Sequence, residues 1–165
     1  PRSTLFPYTT LFRSKAIAYS EPVLAFVDGT SVRPERKGQG VGAVKVLGTM
    51  GGFTPWAWLD RIKAGKTALS ENYNLEALTR QTLAGRVDGV YASVAVINYQ
   101  LDHVLKRPGA LVFDPALPAS RDHYHLASIK RPELLRDFND WMRKNQEWIN
   151  ALKTRHGVEK GVEIQ

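Results

Sequence analysis

Few residue types in this 165-residue chain are placed to do chemistry. It has no cysteine, which removes thiol catalysis, disulfides and Cys-ligated zinc or iron–sulfur centres. Four histidines remain as soft ligands: His103, His123, His125 and His156. His123-Tyr124-His125 would set two imidazoles on one face of a strand, a geometry open to a metal pair. Only Asp122 is adjacent, and no further ligand follows at a metal-site spacing, so hydrogen-bonded or exposed strand histidines and no metal are expected. No serine sits in G-x-S-x-G, and no G-x-G-x-x-G follows a strand. Gly48-Thr49-Met50-Gly51-Gly52 lacks the Lys-Ser/Thr of a phosphate loop. Asp60, Asp88 and Asp114 fall in different segments, so no acid/base pair, catalytic residue or cofactor is expected.

The strongest local pattern is Gly51-Gly52-Phe53-Thr54-Pro55. It reads as a turn into a helix, with Thr54 capping the free amides and Pro55 at the first helical position. The free N–H groups and the positive end of the helix dipole would form a carboxylate or anion site. The glycines would admit a ligand close to the backbone, and the Thr54 hydroxyl would add a hydrogen bond. An ordinary capped helix needs the same Thr-Pro, so spacing alone leaves both readings open.

These residues need a scaffold, and the hydrophobic pattern supplies one. Residues 16–32 are rich in β-branched and aromatic types and predict one or two extended segments. A charged, Gly-rich loop covers 33–42, a short strand is predicted over 41–47, and Gly48 to Phe53 is read as turning the chain. The Thr54-Pro55 helix is predicted to run to about Ala64, burying Trp58, Leu59 and Ile62, and to stop at Gly65. A weak strand over 67–73 follows, then a helix capped by Asn74 that carries Leu75, Leu78 and Leu83 and ends at Gly85. A strand over 87–92 leads to a helix over 94–105, with Val94, Ile97, Leu101, Val104 and Leu105 on one side. Strands over 110–113 and 123–129 precede a long helix after Pro132. Its apolar positions, Leu134, Leu135, Phe138, Trp141, Met142, Trp148, Ile149 and Leu152, recur every three to four residues. Alternating strands and helices predict an α/β fold with a mainly parallel sheet.

At 43% hydrophobic and 24% charged, the composition is that of a globular domain rather than a disordered or collagen-like chain. The formal net charge is +7, but the basic residues are scattered rather than gathered on one aromatic-studded face, so no nucleic-acid partner is expected. Residues 1–14, PRSTLFPYTTLFRS, lack the charged-then-apolar order of a signal peptide. Thr9 to Ser14 resembles one reading frame of a common sequencing adapter, so this segment is expected to be an artefact. Without Arg2 and Arg13 the charge of +7 becomes +5.

Several stretches together resemble the family-3 extracellular solute-binding proteins, the periplasmic receptors of amino-acid-type ABC transporters. Tyr19-Ser20-Glu21-Pro22 is similar to the family's hinge segment, and Gly52-Phe53-Thr54 to its Gly-x-Thr turn. Leu83-Ala84-Gly85-Arg86-Val87-Asp88-Gly89 is similar to its Leu-x-x-Gly-Arg-Val-Asp-Ala run. His123-Tyr124-His125-Leu126-Ala127 is similar to the returning hinge strand, and His156-Gly157-Val158 to the closing Tyr-Gly. The resemblance implies a type II periplasmic-binding-protein fold, of which this chain would hold the second lobe as a three-layer, mainly parallel sheet. The implied divisions are 15–32 crossing strands, 33–122 second lobe, 123–131 returning hinge strand, 132–158 C-terminal helix packed on the first lobe, and 159–165 tail. Most of the first lobe would lie upstream.

The same resemblance implies a receptor that closes on a small polar solute and docks on an inner-membrane ABC permease. Such a receptor would be periplasmic, non-enzymatic and monomeric when intact. It places the ligand's α-carboxylate against Gly52, Phe53 and Thr54, with Tyr91 and Ser93 completing the candidate contacts. Position 93 is acidic in the family, where it pairs with the ligand's ammonium. Ser93 carries no charge, which puts a standard amino-acid ligand in question. Asp88 is read as structural. An enzyme on the same scaffold, similar to cyclohexadienyl dehydratases, would need a cleft acid/base from Glu71 or Tyr91. A sensor module of a membrane-bound signalling protein is the other alternative.

Overall fold

The computed structural model describes residues 17–162, so the segment read as adapter-derived lies outside it. Six strands form the main sheet: β2 (Leu24–Val32), β3 (Val46–Met50), β4 (Ala68–Asn72), β5 (Gly89–Ser93), β6 (Val112–Phe113) and β7 (Ser120–Tyr124). The order is β4-β3-β5-β2-β6, with β7 also paired to β2. β4, β3 and β5 are parallel, and β2 runs against β5, β6 and β7. Five strands therefore share one direction, which is the mainly parallel α/β sheet expected.

Alternation along the central strands fills a core on each face. Leu47, Tyr91 and Val32 pack with Val44, Trp58 and Leu117 on one side. Val90 and Ala92 pack on the other with Leu78, Ile97, Leu101 and Leu111, from α2 (Leu75–Leu83), α3 (Val94–Tyr99) and the segments after α3. Asn74 caps α2 as expected, its side chain accepting from the Ala77 amide at 2.9 Å. Gly85, at φ 73°, takes the left-handed turn that ends the helix.

Four local expectations are corrected. The strand predicted over 41–47 opens instead as a single 3-10 turn at Val41–Ala43, and β3 continues through Gly48-Thr49-Met50, the stretch read as a turn. Thr54 does not cap a helix. Its carbonyl accepts from the Trp56 amide at 2.9 Å across Pro55 (φ −78°, ψ 73°), an inverse γ-turn, and a 3-10 turn at Trp56–Trp58 leads into the short α1 (Leu59–Lys63). After Tyr99 the helix widens into a π turn over Gln100–Val104, which leaves Val104 exposed rather than on the buried side. The long C-terminal helix is two, α4 (Pro132–Lys144) and α5 (Gln146–His156), broken at Asn145, whose side chain donates to the Trp141 carbonyl at 2.8 Å.

The predicted 123–129 strand is also two pieces. β7 completes the main sheet, and β8 (Ala127–Ser128) pairs antiparallel with β1 (Ala18–Tyr19) in a separate two-stranded ribbon. The Ser20 amide donates to the Leu126 carbonyl, the Val23 amide to that of Tyr124, and the Leu126 amide to Ser20 Oγ. Two chain segments thus leave the lobe side by side. α4 packs on this ribbon, where the Glu21 amide donates to Asn139 Oδ1 at 2.9 Å and Arg143 pairs with Glu21. Leu134, Trp141, Trp148 and Leu152 stay exposed along α4 and α5. The segment after α5 returns to the lobe, with Glu159 accepting from the Ala25 amide and Lys160 pairing with Asp102.

Candidate functional site

β3 and β5 lie in parallel register, Thr49 beside Tyr91, so the segments after both strands emerge at one edge of the sheet. There the backbone turns at Gly52 (φ 83°), a conformation suited to glycine, and no atom lies within 4 Å of where a Cβ would stand. Thr49 Oγ1 anchors the turn by bonding the Phe53 and Tyr91 carbonyls. The Phe53 amide is engaged by the Met50 carbonyl. Among the described residues the Gly52 and Thr54 amides have no acceptor, and both residues are exposed. The anion-site expectation therefore rests on these two amides and the Thr54 hydroxyl. The contribution expected from a helix dipole is small, because α1 is one turn long and follows a 3-10 turn.

The Phe53 ring lies 6.0 Å from the Tyr91 ring, which joins the turn to the sheet. Tyr91 is only 1% exposed and its hydroxyl meets Ser120 Oγ at 3.3 Å, so it forms the floor under the turn rather than a free contact. Burial pushes its phenol up, with the Asp28 charge adding to the effect and the Ser120 and Ala57 hydrogen bonds opposing it. Ser93 closes β5, half-buried, and its side chain makes no cap hydrogen bond to α3. It lines a cavity of about 300 Å³ with Phe26, Tyr99, Tyr124 and Val158. Phe26 and Tyr124 pack ring to ring at 4.6 Å.

Sequence reasoning missed Asp28. It is the Cα partner of Ser93 on β5 and of Ser120 on β7, and so shares their face of the sheet. Burial raises its pKa above the ordinary carboxylate value. It is the sole charged residue in the nine-residue run of β2, and that isolation was the available signal. Because the folded value is raised, its contribution to stability is full below the unfolded pKa and declines as pH rises through the folded one.

The other candidates do not converge. Glu71 is exposed on β4 and registers with Thr49, which registers with Tyr91, so Glu71 and Tyr91 stand two strand spacings apart, roughly 10 Å. Asp88 holds the framework: Oδ2 accepts from the Lys45 and Val46 amides at 2.8 Å each, and Oδ1 pairs with Arg36 at 3.0 Å. Asp114 is buried, accepting from the Gly38 and Ala116 amides. His125 lies beyond β7 and meets the Ser20 carbonyl through Nδ1 at 2.8 Å, so the two histidines do not share a strand. Among the described residues no three His, Asp or Glu side chains gather as a metal site.

This arrangement is the α/β fold of one lobe of a type II periplasmic-binding protein. The similar structures include the GluR0 ligand-binding core in complex with L-glutamate, at TM-score 0.63 and 15% identity, covering 87% of this chain and 65% of that one. They include the amino acid ABC transporter substrate-binding protein AbpA from Streptococcus pneumoniae, bound to L-arginine, at TM-score 0.60 and 18% identity, covering 87% and 63%. They also include the ancestral amino acid-binding protein AncCDT-1, a precursor of cyclohexadienyl dehydratase, at TM-score 0.57 and 15% identity, covering 84% and 60%. The chain thus spans less than two thirds of the length of each. No family model matches the sequence. No curated protein matches it either.

Proposed function

We propose that the chain is the second lobe, crossing strands and C-terminal helices of a periplasmic solute-binding protein. In that reading a first lobe closes over the Gly52–Thr54 turn, traps a small amino-acid-like solute and presents it to an inner-membrane ABC permease. One observation carries the reading: the open Gly52 and Thr54 amides, the Phe53–Tyr91 floor and Ser93 stand at one edge of a sheet that two adjacent segments leave together. Open α/β sheets hold ligands at that edge, and paired crossing strands are the device by which two lobes hinge. Most of the similar structures are binding proteins for amino acids, which supports the same reading. We read the role as binding without catalysis: Glu71 and Tyr91 stand roughly 10 Å apart through Thr49 and the Tyr91 hydroxyl is buried against Ser120, which supports binding over acid/base chemistry.

A thermal-shift screen of the full chain against amino acids and small organic acids at 10 mM tests this. One lobe with a millimolar site gains RT ln(1 + [L]/Kd), about 1.4 kcal/mol, or roughly 3 °C in Tm. At least one amino acid should produce that shift. A flat response across the panel contradicts the proposal.

A further inference from the structure

The half-buried carboxylates of the lobe are engaged, with one exception. Asp88 holds two backbone amides and Arg36, Asp114 holds two amides, and Glu159 holds the Ala25 amide and Lys153. Asp28, in the middle of the sheet, has no hydrogen-bond or ion-pair partner among the described residues. A partly desolvated carboxylate without a partner is unfavourable, so the one charge in β2 calls for a cation from outside. No basic side chain of its neighbours shares its face. Arg121 and His123 register with Val27 and Ala25, one residue off, and Arg121 lies over the Phe113 ring. On the Asp28 face stand Ser93 and Ser120, the Tyr91 hydroxyl, the packed Phe26 and Tyr124 rings, and at its exposed margin Asp122, a second carboxylate and no cation. Hydroxyls can accept from an ammonium, and aromatic faces attract one.

Resting on the solute-binding reading above, we propose that Asp28 receives the primary ammonium of the solute, supplying from β2 the charge that Ser93 lacks. The ligand class is then a small amine or amino acid rather than a simple organic anion. Asp28 is the register partner of Ser93, one strand across the ladder on the same face.

The test is an NMR titration of the full chain with n-butylammonium, with butyrate as the anionic control that lacks the ammonium, following the Asp28 carboxyl carbon and the Ser93 and Ser120 amides. n-Butylammonium should give saturable shifts there and butyrate none. Asp28→Asn should weaken n-butylammonium binding about tenfold or more, while Asp137→Asn, the same charge loss at an exposed site on α4, changes it less than twofold. The double variant D28N/S93D should restore binding. Asp28→Asn should melt no lower than the parent at pH 7, because burial already opposes the charge, so a loss of binding will not reflect unfolding. Equal affinity in the parent and Asp28→Asn overturns the proposal, as does an equal loss in Asp137→Asn. If amino acids still stabilise the protein in the thermal screen when n-butylammonium fails, only the Asp28 assignment falls. If both fail, the receptor reading falls with it.

Discussion

Replacing Trp58 by alanine is expected to destabilise the chain by about 4 kcal/mol, a loss of roughly 10 °C in Tm or more. The side chain is 0% exposed and fills the core on the face that carries the Gly52–Thr54 turn, against Leu47, Val32 and Tyr91. Its indole N–H donates to Thr30 Oγ1 at 3.0 Å, and Thr30 is itself fully buried, so truncation leaves both a cavity and an unpaired hydroxyl. Trp58→Phe separates the two effects. It keeps most of the volume and should cost about 1–2 kcal/mol, the share of the hydrogen bond and the smaller ring. Urea titration of both variants measures this, and equal losses would mean that the cavity is not what matters.

The second large effect is expected at Asp88. Its carboxylate joins the start of β3 to the turn before β5 through the Lys45 and Val46 amides, and it pairs with a partly buried Arg36. Alanine strands two amides and a guanidinium at once, for a loss of about 3 kcal/mol. Asparagine can still accept from the amides but turns an N–H₂ toward Arg36, and should recover about half. Chemical denaturation of the two variants checks the order. An alanine variant as stable as the parent would show that the strands hold their register without this tie.

The order of elements was legible because each strand and helix carries its own hydrophobic period. Their edges were less so, for physical reasons that differ case by case. Gly48 reads as a turn residue, yet it sits inside β3, where a Cβ would stand 2.7 Å from Leu78, so the glycine lets α2 close on the sheet. β7 begins three residues ahead of the predicted 123–129 strand because Ser-Arg-Asp-His-Tyr has little of it buried, and no alternation marks its start. The break at Asn145 was hidden because the apolar period continues through both helices; only the amide's bond to the Trp141 carbonyl reveals it. Thr54-Pro55 has the composition of a helix start, but the same Pro ring serves an inverse γ-turn equally well.

The candidate site shows the same division. The Gly52–Thr54 turn and Ser93 could be named from spacing and resemblance, and the structure sets them at one edge of the sheet. Tyr91 could be named but not its burial, since the side of the strand it occupies depends on register with Thr30 and Thr49. Asp28 could not be tied to Ser93 at all, because they are 65 positions apart in sequence and adjacent only through the β2–β5 ladder.

The most direct measurement is an amide-resolved NMR map of the full chain titrated with the best-stabilising amino acid from the thermal screen. The shifts should gather at Gly52, Phe53 and Thr54, at Ser93, and at Asp28 and Ser120 across the ladder, with the α5 surface unmoved. Shifts confined to the groove at Asn150, Lys153 and Lys160, or absent from the sheet edge, would contradict it.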